Sequence, residues 1–123
     1  VMKVHWKGWK VLVTGDLGID DELALIEDGT DLSADVVLMG RHEWGVSGQY
    51  QFLKATGAKV VITSASRFPS YEMPTSRWVE RVKSNGYHLF NQWETGAVIM
   101  DFEEDGMSLR SFLDPENQIT LQR

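Results

Sequence analysis

A chain of 123 residues, 42% hydrophobic and 24% charged, is sized for one globular domain whose core can stand without staples. Twelve Lys and Arg against eighteen Asp and Glu leave a net charge of −6, which argues against broad electrostatic docking on nucleic acid or anionic lipid but leaves room for an acidic, metal-dependent phosphodiester site. No apolar run approaches the roughly 18–20 residues of a membrane span, no basic-then-apolar leader is visible, and the lack of cysteine removes disulfides and thiolate metal sites.

Met2, Val4 and Trp6 alternate with Lys3 and His5, the period of a half-buried strand, and Lys7-Gly8 separates them from the apolar run 9–13, which predicts a hairpin. Residues 17–20 read as a turn, and the acids Asp20, Asp21 and Glu22 favour a helix start, predicted over 21–27 and closed by Asp28-Gly29. Residues 34–39 are continuously apolar, as expected for a strand covered on both faces. Ser47 is the expected N-cap of a helix that stops at Gly57.

Residues 59–63 predict a third core strand. It opens into the loop 64–74, long enough to be suspected of function. Thr75 or Ser76 caps the next helix, with Trp78, Val79 and Val82 on one side and Asn85-Gly86 at its end. Strands are predicted over 87–90 and 97–102 around a turn at 94–96, and Asp105-Gly106 marks a hairpin into 107–113. The domain is expected to span residues 1–113, followed by a polar tail, 114–123, with no assigned element. Trp6, Trp9 and Trp78 fall on apolar faces and are expected in the core, whereas His5 and His88 sit in alternating strands and read as surface or edge residues. Strand–helix–strand–helix–strand order with hairpins at both ends predicts an α/β architecture.

The chemistry-bearing positions are strand tips. Residues 11–15 deliver Asp16, and residues 34–40 deliver Arg41 and His42, with Trp44 just beyond and Ser64 following the third strand. A side chain just past a rigid strand is held more tightly than one in mid-loop, and one carboxylate near one imidazole is the beginning of a metal or hydrolytic site. An Asp in that position is more often a turn residue or the cap of the next helix, and a strand-end His is usually an ordinary partly buried polar group.

The ordered pieces Thr14-Gly-Asp16, Ala34-Asp-Val-Val-Leu38 with Gly40-Arg-His42, Lys59-Val-Val-Ile-Thr-Ser64 and Tyr71-Glu-Met-Pro74 resemble the second half of the metallo-β-lactamase-type domain of ComEC-type competence proteins, over most of residues 1–102. The resemblance implies half of an αββα sandwich: a mixed sheet with helices on one face and antiparallel hairpins at the ends. It places Asp16 where the family has a metal-bridging Asp and His42 in a His-His-Gly-Ser motif, making these two the implied metal and catalytic residues.

The departures are Arg41 for the first His of that pair, Glu43-Trp44 for Gly-Ser, and Met73 for the His before Pro74. Arginine cannot ligate, and a thioether is a poor ligand for borderline metals. The family's His-x-His-x-Asp-His cluster has no counterpart in this sequence. The chain alone is therefore expected to hold no cofactor and to be inactive, with zinc or manganese a property of a complete domain.

The implied setting is a soluble domain of a cell-membrane DNA-uptake protein, with a structural or DNA-end-binding role. Its partners would be a missing N-terminal half, the membrane channel and single-stranded DNA. The alternatives are a metal-dependent phosphodiesterase or nuclease domain that works only with the missing half, and a stand-alone interaction domain. A chain opening on Val1 is compatible with a piece excised from something longer. Two further expectations follow. The isolated chain should form a homodimer, because a half-domain leaves the apolar face of its sheet open. Arg41 should either pair with Asp16 or point to solvent, since adjacent strand residues alternate faces.

Overall fold

The computed structural model describes residues 1–40 and 47–123. Strands β1 (Met2–Trp6) and β2 (Trp9–Gly15) form the predicted hairpin around Lys7-Gly8. Helix α1 (Ile19–Glu27) then leads to β3 (Val36–Met39), α2 (Tyr50–Thr56) to β4 (Val60–Thr63), and α3 (Ser76–Ser84) to β5 (His88–Asn91). These five strands make one mixed sheet in the order β1-β2-β3-β4-β5, with β2 to β5 parallel and β1 antiparallel at the edge. After a one-turn helix, α4 (Gln92–Thr95), the strands β6 (Val98–Phe102), β7 (Gly106–Ser111) and β8 (Gln118–Gln122) form a separate antiparallel sheet.

Period-two alternation in the parallel strands divides the core in two. Leu12, Val37, Met39, Val61 and Leu89 face the helices, where they meet Phe52 and Leu53 of α2 and Trp78 and Val82 of α3. Val11, Val36, Val60, Ile62 and Phe90 face the other way, onto Met107 and Leu109 of β7 and the inward residues of β6 and β8. The result is an α/β/β stack in which the runs 34–39 and 59–63 are apolar because both of their faces are covered. The outer face of the small sheet is polar apart from Ile99, with Arg110 and Asp101 3.8 Å apart.

Several expectations change. Trp9 and Trp78 are buried, but Trp6 is 59% exposed, because the small sheet does not reach over β1. Residues 114–123 are not a featureless tail: Ile119 and Leu121 alternate with polar neighbours and pack on the sheet–sheet core as β8. The turn expected at 94–96 belongs to α4. Ser47 is buried, and Gln49 occupies the N-cap of α2. The apolar face that a half-domain would leave open is closed within the chain by β6–β8, except over β1. Thr75 caps α3 as expected, its hydroxyl accepting the Trp78 N–H at 3.2 Å.

Candidate functional site

Parallel strands point their carboxyl ends one way, and side chains just beyond them converge on one edge of the sheet. Here that edge carries Asp16 after β2, Gly40 after β3, Ser64 after β4, and Asn91 at the end of β5. The tips of β2 and β3 abut: a Cβ on Gly40 would lie 2.9 Å from the Gly15 carbonyl oxygen. Their ladder shifts register between Val13 and Gly15. The Ser64 N–H donates to the Met39 carbonyl at 2.8 Å, tying β4 to β3. Beneath the edge, the buried Thr63 hydroxyl donates to Asn91 Oδ1 at 2.7 Å.

Of the residues singled out by sequence, Arg41, His42 and Trp44 lie outside the described residues, and with them the expected Arg41–Asp16 pair. Asp16 and Ser64 are exposed at the tips of β2 and β4, with β3 between them, and Asp16 has no hydrogen-bond or ion-pair partner among the described residues. Met73 is half-buried behind the single-turn helix Ser70–Glu72, its N–H donating to the Ser70 carbonyl. A zinc site draws on three or four nitrogen, oxygen or sulfur donors. The exposed donors described at this edge, the Asp16 carboxylate and the Ser64 hydroxyl, do not meet that requirement by themselves. Among the described residues no group of three His, Asp or Glu side chains could hold a metal ion.

Two features escape a sequence reading. The first is an aromatic and cationic surface between the loops after β4 and β5. Arg67 lies over the Trp93 ring, 5.6 Å from its centroid, and the same loop leaves Phe68 87% and Tyr71 54% exposed. Trp93 Nε1 is buried and has no acceptor among the described residues. The loop 64–74 was legible as a candidate by its length, but its contact with Trp93 is not encoded in any local spacing.

The second is Glu22, which is 1% exposed. Its carboxylate accepts the N–H groups of Gly48 at 2.5 Å and Gln49 at 3.2 Å, at the start of α2. Burial pushes its pKa up, opposed by those two hydrogen bonds and by the charge of Arg81. Trp78 Nε1 donates to the Gly48 carbonyl at 3.0 Å. Gly48 has φ +64°, and a Cβ there would strike Met39 and Trp78, so only glycine fits this clamp. The signal in the sequence was the helical spacing of Glu22 with Leu25 and Ile26, which puts the carboxylate on the inward face of α1. A cleft of about 360 Å³ lies between α1 and α2 above it, lined by Ile19, Leu23, Ile26, Tyr50 and Arg81.

The chain is 30% identical over 99 residues to the competence protein ComA of Neisseria gonorrhoeae, an alignment covering 80% of this chain and 14% of ComA. This chain is distantly related to a competence protein. It is also 22% identical over 112 residues to the uncharacterized protein YcaI of Escherichia coli (strain K12), covering 90% of this chain and 15% of YcaI. The chain thus spans about one seventh of the length of either relative. No family model and no solved structure matches it. No helix among the described residues is long and apolar enough to cross a membrane.

Proposed function

We propose that this chain is a domain of a competence-type DNA-internalisation protein that holds a single-stranded DNA end at the carboxyl edge of its large sheet, without cleaving it. The observation that carries this reading is the exposed set Phe68, Tyr71 and Arg67 over Trp93, beside the carboxyl edge of the large sheet. Bases stack on aromatic faces whatever their identity, and a guanidinium held over a ring offers a cation to one phosphate. The net charge of −6 means that stacking, rather than charge neutralisation, supplies the affinity. Hydrolysis of a phosphodiester by the whole protein would draw its remaining metal ligands from outside this chain.

The test is anisotropy of a labelled oligothymidine of about 15 nucleotides, titrated with the chain at several salt concentrations. Saturable binding is expected, with a log–log salt slope near about −0.7, the value for one phosphate contact on a single strand. Phe68→Ala with Tyr71→Ala should weaken it by about tenfold or more, at roughly 1–3 kcal/mol per stacked base. Both side chains are exposed, so the fold should be untouched. Absence of saturable binding, or binding indifferent to the double substitution, would sink the reading.

A further inference from the structure

Strand β1 is the bare element of this fold. Its sheet's other edge, β5, keeps Leu89, Phe90 and Asn91 buried, and the outward-facing residues of β8 are polar. On β1, by contrast, Met2 is 57%, Val4 41% and Trp6 59% exposed. Natural edges are often protected by a lysine that would be stranded between strands. Lys3 does not serve that purpose here, because its ammonium is bound to Asp31, 2.5 Å from the carbonyl oxygen and 3.1 Å from Oδ2.

We propose that β1 is the interface of a two-fold symmetric dimer, in which two copies of this chain pair β1 against β1, antiparallel about Val4, to make one continuous ten-stranded sheet. Three observations favour a second copy as the occupant. The first is hydrogen-bond phase. Lys7 and Gly8 both have positive φ, 48° and 80°, so they form a two-residue hairpin turn whose flanking pair, Trp6 and Trp9, exchanges both backbone bonds. Alternation then turns the backbone groups of Met2, Val4 and Trp6 toward β2, and leaves those of Lys3 and His5 aimed at the open edge.

The second is parity. Pairing centred on Val4 sets Lys3 opposite His5 of the second copy, so the outward groups of one strand meet the outward groups of the other. The same register sets Met2 opposite the second copy's Trp6 and Val4 opposite itself, all on one face. Met2 thereby gains an indole for its thioether, a favourable contact, and six exposed apolar side chains become one stripe. The third is room, since the small sheet stops short of these side chains and a neighbour can dock beside them.

The chain contains no cysteine, so one introduced thiol reports on the interface. Val4→Cys places two thiols across the axis in a position without backbone hydrogen bonds, where Cα atoms come within disulfide range. Thr120→Cys, exposed on the polar face of the small sheet, is the control. Under mild oxidation the Val4→Cys chain should cross-link at least about tenfold faster than the control, because the thiols are held at high effective concentration. Wild-type protein should sediment at twice its 14.0 kDa at high concentration, and Val4→Glu should hold it at 14.0 kDa. Equal cross-linking rates for the two thiols, or a wild-type chain that stays monomeric up to about millimolar concentration, would overturn the proposal.

Discussion

Replacing Glu22 with alanine should cost about 3 kcal/mol of folding stability. The carboxylate makes one short bond, to Gly48 at 2.5 Å, and one longer one, to Gln49 at 3.2 Å. A hydrogen bond to a charged acceptor contributes about 1.5–3 kcal/mol, and a buried N–H left without an acceptor costs about 1–3 kcal/mol. Relief of the buried charge offsets part of that loss. The folded pKa of Glu22 is raised by burial, so its contribution is fully present below the ordinary glutamate value of about 4.3 and is lost as pH rises through the folded value. The penalty for the substitution should therefore shrink as pH rises above that ordinary value. Urea unfolding of both proteins at several pH values measures it, and at neutral pH the melting temperature should fall by about 10 °C. A loss below about 1 kcal/mol, or a penalty that grows with pH, would refute the argument.

Asp31 should act with the opposite sign: Ser33 and then Lys3 hold its carboxyl below the usual range, so it stabilises at neutral pH, and Asp31→Asn should flatten the acid limb of the stability curve. Gly40→Ala drives a Cβ to 2.9 Å from the Gly15 carbonyl oxygen and should cost about 1–3 kcal/mol in thermal unfolding, since the atoms it meets are backbone and cannot rotate away; a neutral result would deny the close approach. Phe90→Ala, at a side chain with no exposure, should cost about 3–5 kcal/mol by urea unfolding. Trp9→Ala should cost a similar amount while Trp6→Ala changes monomer stability by less than about 0.5 kcal/mol, and equal losses would contradict the burial of one and the exposure of the other.

The parallel strands were legible because residues 34–39 and 59–63 are uninterrupted apolar runs, and a strand covered on both faces leaves that mark. Thr75 and Asp105-Gly106 were legible because a cap and a tight turn are local chemistry. Trp6 was misread for a different reason: alternation assigns a side to a residue but not the extent of the layer packed on that side. The signal for β8 was present in Ile119 and Leu121, but two apolar positions among polar ones make a weak pattern until β7 supplies a partner. Ser47 looked like a cap by type, yet Gly48 turns the chain left-handed after it and Gln49 takes the position. At the candidate site, Asp16 and Ser64 could be placed at strand tips from order alone. Arg67 and Trp93 are 26 positions apart, and only the adjacency of β4 and β5 brings their loops together.

The small sheet is tied to the large one without a shared strand ladder. Among the described residues its attachments are the apolar layer and a few side-chain clasps: Lys7 Nζ on the Phe102 carbonyl, Trp9 Nε1 on the Glu103 carbonyl, His88 Nε2 with Asn117 Oδ1, and Arg123 both on the Lys7 carbonyl and over the Trp9 ring. A layer held this way can lift as a unit while the backbone bonds of β2 to β4 stay closed. Amide exchange should accordingly sort into two populations, with β6–β8 opening at lower free energy than β3 and β4. The partly opened state would bare Val36, Val60 and Phe90 together, making it the species from which clumping starts during refolding.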